Sequence, residues 1–84
     1  MREKFPAVRY RDLVRVANRL GFYFYRQASG SHEIWRRDFD KVQTTIPNHG
    51  SKPIKRRTFM AILDDFGIHW KEFIKILKSK SFKA

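Results

Sequence analysis

Side chains able to move a proton near neutral pH are few in this chain. Three histidines stand at positions 32, 49 and 69, and the carboxylates are Glu3, Asp12, Glu33, Asp38, Asp40, Asp64, Asp65 and Glu72. Imidazole is the group best matched to proton transfer at physiological pH. The absence of cysteine excludes a thiolate nucleophile, a disulfide framework and a Cys-based zinc site. No Gly-rich phosphate loop follows a strand, and neither a His-Glu-x-x-His nor an EF-hand spacing occurs. Asp38 and Asp40 flank a turn, where such pairs ordinarily cap backbone N–H groups. Asp64 and Asp65 fall near the C-terminus of a helix, where the macrodipole disfavours them, and a basic partner surface would offset that penalty. These carboxylates make a poor case for metal-dependent hydrolysis, and neither a metal nor a small-molecule cofactor is expected. The histidines hold the chemical interest.

What positions them follows from the pattern along the chain. In residues 11–20, RDLVRVANRL, the apolar residues Leu13, Val16, Ala17 and Leu20 recur at i, i+3, i+4 and i+7, one face of a helix that Gly21 ends. Three β-favouring runs follow, FYFYRQ (22–27), HEIWRR (32–37) and KVQTTIP (41–47), joined by the short turns ASGS and DFD. They read as an antiparallel meander, with Val42, Thr44 and Ile46 on one face of the third strand and Pro47 ending it. After the loop NHGSKP, a second helix begins around residues 54–57 and runs to Phe66, turning Phe59, Ile62, Leu63 and Phe66 inward before the Gly67 stop. A terminal helix places Trp70, Phe73, Ile74 and Leu77 on one face and carries lysines at 71, 75, 78, 80 and 83. The order α-β-β-β-α plus this helical extension predicts an α+β domain. Its helices would cover one face of a three-stranded antiparallel sheet and leave the other partly open.

In such a meander the start of one strand lies beside the end of the next. His32 and the segment 47–49 should therefore meet at one edge, near Arg26, Lys52, Lys55, Arg56 and Arg57. Cations there would hold a phosphodiester and stabilise a pentacoordinate phosphorane beside the imidazole. The plain alternative is a pair of hydrogen-bonded surface histidines. His69, beyond Gly67, is expected to cap or pack against a helix end. Tyr23, Tyr25 and Trp35 are candidates for stacking on unpaired bases, whereas Phe22 and Phe24, of opposite parity, should face the helices. Core packing competes for all five, because a short chain has little core to spare. Strand parity raises a conflict: Ile34 is expected to point inward, and His32 shares its parity. A bulge or splayed edge next to Gly30 would release it.

Eighty-four residues allow one domain, read here as 1–84, with a core at about 8–68 and a terminal helix and basic tail over 69–84. Nineteen Lys and Arg against eight Asp and Glu give a net charge of +11. A field of that sign draws polyanions, nucleic acid before anionic membrane, since membrane binding needs a basic helix whose apolar face is free. No apolar run approaches the ~20 residues of a membrane span, and the opening MREKFPAVRYRD has no signal-peptide h-region. A soluble cytoplasmic protein that contacts RNA or DNA, with no membrane partner, is the expectation.

The runs LGFYFYRQASGSHEIWRR, TTIPNHGSKPIKRRTFMAIL and FGI together resemble the HicA (YcfA-like) family, the toxin half of type II toxin–antitoxin modules. The resemblance covers about residues 11–68, and Gly30-Ser31-His32 and Pro47-x-His49 are its most specific parts. It implies a fold like that of double-stranded-RNA-binding domains and a metal-independent mRNA interferase held inactive by a HicB antitoxin. On this resemblance His32 is the catalytic histidine, His49 a second candidate, and Gly30 the turn residue. Arg26, Ser31, Trp35, Lys52, Lys55, Arg56 and Arg57 are the expected RNA contacts. Two positions depart from the pattern: Asn48 stands where the family often has Arg, and Arg57 precedes Thr58 where a Gly is common. The alternative is a non-catalytic RNA-binding module with the same charge.

Overall fold

The computed structural model describes residues 6–79, so Glu3, Lys80 and Lys83 lie outside the described residues. Helix α1 (Tyr10–Arg19) leads into strands β1 (Tyr23–Gln27), β2 (His32–Arg37) and β3 (Val42–Pro47), followed by α2 (Arg56–Phe66) and α3 (Trp70–Lys78). The strands form one antiparallel sheet in the order β1-β2-β3. The helices arise where the apolar stripes predict them. Leu13, Val16 and Ala17 of α1 are buried, as are Phe59, Ile62, Leu63 and Phe66 of α2. Asp12 in the first turn of α1 accepts the Arg9 N–H at 3.0 Å, which satisfies a backbone donor that the helix leaves open. Gly67 ends α2 at φ +75°, a left-handed conformation that only glycine adopts without penalty, and its N–H reaches back to the Leu63 carbonyl at 2.8 Å.

The terminal helix completes the core. Phe73 is fully buried and meets Phe59 edge-on at 5.0 Å between ring centroids. Its inward stripe is centred on Phe73 and Ile76, with Trp70, Ile74 and Leu77 only partly buried, a small rotation from the expected face. Arg19 of α1 holds the end of α3 by donating to the Ile76 and Ser79 carbonyls, both at 2.7 Å. His69 is the α3 N-cap, as expected, and its Nδ1 accepts the Lys71 N–H at 3.1 Å. The loop before α2 is pinned to the chain entering α1, through Ile54 N–H to the Val8 carbonyl at 2.7 Å and Arg9 Nε–H to the Ser51 carbonyl at 2.9 Å.

Residues paired across antiparallel strands share a face. In β2 and β3 the pairs Glu33–Ile46 and Trp35–Thr44 are buried toward the helices. The pairs His32–Pro47, Ile34–Thr45 and Arg36–Gln43 consequently occupy the outer face. This overturns the expectation that Ile34 points inward: the inward positions belong to a glutamate and a tryptophan, and His32 needs no bulge in its own strand to reach the outside. The expected RNA contact at Trp35 is likewise corrected. Its ring is 6% exposed, its indole N–H is held by Glu33, and no face of it is open to a base.

An irregularity does occur, in β1. The register passes from Phe24 opposite Trp35 to Arg26 opposite Ile34, so Tyr25 is an inserted residue. A bulge of this kind sets two residues against one. It turns Arg26 onto the outer face, where strict alternation after Tyr23 would have sent it inward. Phe22 is buried against Phe66, with ring centroids 5.1 Å apart. Phe24 lies edge-on to Trp35 on the inner face but at the sheet margin, 48% exposed.

Candidate functional site

Gly30 makes the site possible. At φ +61° it turns the 28–31 loop so that the Ser29 carbonyl faces back onto β2. That carbonyl accepts both the His32 backbone N–H and His32 Nδ1–H, each at 3.2 Å. A carbonyl oxygen only accepts, so the contact requires the hydrogen on Nδ1. In the neutral ring the lone pair then resides on Nε2. Gln27 braces the same turn from β1, its side-chain amide donating to the Gly30 and His32 carbonyls at 3.1 and 3.0 Å. The main chain around His32 is thereby held from both sides, and the imidazole itself is exposed.

The second histidine is brought in by the end of β3. Pro47 lies opposite His32, and the next residue, Asn48, donates its N–H to the Ser31 carbonyl at 2.8 Å. Asn48 Oδ1 accepts from Gly50 N–H at 3.2 Å, shaping the turn that carries His49. His32, Pro47 and His49 line one groove of about 540 Å³, whose far wall is α2 with its N-cap residue, contributing Lys55, Arg57 and Asp65. Of the other expected contacts, Ser31 serves through its carbonyl, Arg26 stands on the outer face opposite Ile34, and Lys52 and Arg56 are exposed but do not line the groove.

The charge of α2 is reversed with respect to its dipole. Lys55, Arg56 and Arg57 stand at its N-terminus with no acidic residue in the first turn, and Asp64 and Asp65 stand near its C-terminus with no basic residue there. Each misplaced charge costs a helix about 0.3–1 kcal/mol. The arrangement adds side-chain cations to the positive end of the helix dipole, which favours an anion. The groove thus sets Lys55, Arg57 and the positive end of a helix beside two imidazoles, with Asp65 in its lining.

Sequence reasoning missed the support beneath. Glu33, next to His32 but on the inner face, is 8% exposed. Its Oε1 accepts from Tyr10 O–H at 2.8 Å and Trp35 Nε1–H at 3.0 Å, and its Oε2 from Asn48 Nδ2–H at 3.4 Å. Burial and the bond to Glu33 push the Tyr10 hydroxyl up to about 12. The cluster ties α1, β2 and the turn before His49 to one carboxylate. The only available signal was a glutamate at a core parity, which the apolar Ile34 outweighed. Asn48, one of the two departures from the family pattern, is a member of it. Among the described residues no group of three or more His, Asp or Glu side chains is arranged to hold a metal, and no helix is long and apolar enough to cross a membrane.

A small α+β domain with helices against one face of a three-stranded sheet, and a basic groove holding two histidines, is the class of protein that fold and site define. The family model described as the HicA toxin of bacterial toxin–antitoxin systems matches residues 10–68, and the chain belongs to that family. It is the toxin of a toxin–antitoxin system, whose partner is an antitoxin. A search among curated proteins found no match.

Proposed function

We propose that this toxin is an endoribonuclease that cleaves mRNA by histidine acid–base chemistry, with the RNA's own 2′-OH as nucleophile. The observation that carries the reading is the His32 contact to Ser29, which leaves Nε2 as the basic nitrogen of an exposed imidazole in a cationic groove. His32 Nε2 accepts the 2′-OH proton as the 2′-oxygen attacks phosphorus. His49, as imidazolium, gives its proton to the departing 5′-oxygen. The products are a 2′,3′-cyclic phosphate and a 5′-hydroxyl end. Lys55, Arg57 and the α2 N-terminus would stabilise the charge that develops on the phosphorane. General acid–base assistance of this kind contributes roughly 10²–10⁴ in rate.

The inhibitor in this reading is a HicB-type antitoxin that covers the groove and competes with RNA for it. Cleavage of an unstructured RNA in the presence of EDTA, at low salt, tests the activity. His32→Ala should remove cleavage while preserving the circular dichroism spectrum, and His49→Ala should slow it by about 10²-fold or more. A folded His32→Ala protein that cuts at the parental rate would sink the mechanism. Binding by the parent with no cleavage would leave a non-catalytic RNA-binding protein.

A further inference from the structure

The groove opens onto a surface that the acid–base chemistry does not use. Tyr23, Tyr25, Arg26, Ile34 and Arg36 occupy the outer face of the sheet, continuous along β2 with His32. Tyr23 and Tyr25 are 40% and 45% exposed. The Arg36 guanidinium lies over the Tyr25 ring at 5.2 Å, and the Tyr23 ring stands edge-on to it at 6.5 Å. Asp38 anchors the group from the end of the strand, accepting from Tyr23 O–H at 2.8 Å and pairing with Arg36 Nε at 3.4 Å. Tyr23 is tied by its hydroxyl and Tyr25 is flanked by Tyr23 and Arg36, which lowers the cost of ordering these rings on binding. Arg26 reaches the same face through the Tyr25 bulge.

We propose that this outer face is a base-stacking subsite for unpaired RNA, with the Tyr25–Arg36 stack receiving a base of the strand whose phosphate lies at His32. The inference rests on the endoribonuclease reading and adds the substrate's form to it: single-stranded, extending several nucleotides from the cut. Arg36 is four residues along β2 from His32, about 13 Å at strand rise. That is about four nucleotides at stacked spacing, and fewer where the strand is stretched. Bases in a duplex have both faces covered by their neighbours, so aromatic rings on a sheet reward only unpaired ones. Arg26 and Arg36, set among the tyrosines, favour a polyanion over an apolar peptide. Asp38, the acid on this face, is balanced by its own pair with Arg36.

An RNA of about twelve nucleotides, 2′-O-methylated throughout so that it cannot be cut, allows binding to be read on the intact parent protein by fluorescence anisotropy. The same RNA annealed to its complement is the comparison. The parent should bind the single strand more tightly than the duplex. Tyr25→Ala should weaken single-strand binding about five- to a hundredfold with little change in its salt dependence, since no phosphate contact is removed. Tyr25→Phe should restore the affinity. Phe39→Ala removes an aromatic that is 81% exposed, in the β2–β3 turn outside this face, and should leave binding unchanged. Tyr25→Ala and Tyr23→Ala both binding within twofold of the parent would overturn the subsite, and so would an equal loss for duplex and single strand or an equal loss in Phe39→Ala. Any of these three failures would leave His32 chemistry untouched, because the ligand is uncleavable. A parent that binds neither form of RNA would instead fail the endoribonuclease reading itself.

Discussion

Tyr10 keeps its proton for the sake of Glu33. Its hydroxyl, partly withdrawn from water and donating to that carboxylate at 2.8 Å, is pushed up from 10.0 to about 12. A raised value means that the folded state holds the proton more tightly than the unfolded chain. The stabilisation is whole below pH 10 and drains away as pH rises toward 12. Denaturant midpoints measured between pH 9 and 12 should fall with a slope that Tyr10→Phe flattens, although the lysines add their own titration to both proteins. At neutral pH Tyr10→Phe should cost about 1–3 kcal/mol, the range for taking one donor from a buried acceptor. A variant as stable as the parent across this range would show that Trp35 and Asn48 satisfy Glu33 without it. The position of His32 was legible in the sequence, because a glycine turn and a strand start are local features, whereas its outward direction emerged only from the register of β2. Glu33 was not legible, since a buried acid is recognised only when donors from α1 and from the 48–50 turn are seen to converge on it.

At the scale of elements, apolar spacing was a faithful guide to the helices and a poor one to the faces of the strands. Three or four apolar residues at helical spacing define a stripe whatever else is near; α2 buries all four residues so indicated, and α1 buries Leu13, Val16 and Ala17 with Leu20, its C-cap, partly buried. Strands of five or six residues offer two or three positions per face, so one exception reverses the reading. In β2 the sequence His-Glu-Ile-Trp allows either parity, and the choice fell to Trp35 and a bonded Glu33 over Ile34. The inserted Tyr25 left no mark in the sequence at all, yet it decides which way Arg26 points. The α3 stripe was visible, but not that the core would depend on it. Phe73, fully buried between α3 and Phe59, should cost about 3–5 kcal/mol when replaced by alanine. Urea unfolding would measure it, and a loss below 1 kcal/mol would make α3 an appendage after all.

For the whole molecule, charge is the property that most constrains binding. A net charge of +11 raises affinity for any polyanion, and only cations placed at the groove set a phosphate's position. Arg26, Lys55 and Arg57 are directed to the groove or to the face beside it, where Arg36 is already paired with Asp38. Each phosphate neutralised on a single strand contributes about −0.7 to the slope of log K against log salt. Three such contacts predict a slope near −2, and a larger magnitude would measure how far the rest of the surface joins in. Lys55→Ala with Arg57→Ala should weaken binding of the uncleavable RNA and lower the magnitude of the slope by about 1.4. Because these two cations oppose the α2 dipole, the same double variant should be as stable as the parent or slightly more so. Lys71→Ala with Lys75→Ala removes equal charge from α3, which does not line the groove, and should leave the slope nearly unchanged. Equal losses from the two double variants would mean that net charge alone attracts the RNA, and the groove would then lose its claim to hold the phosphate.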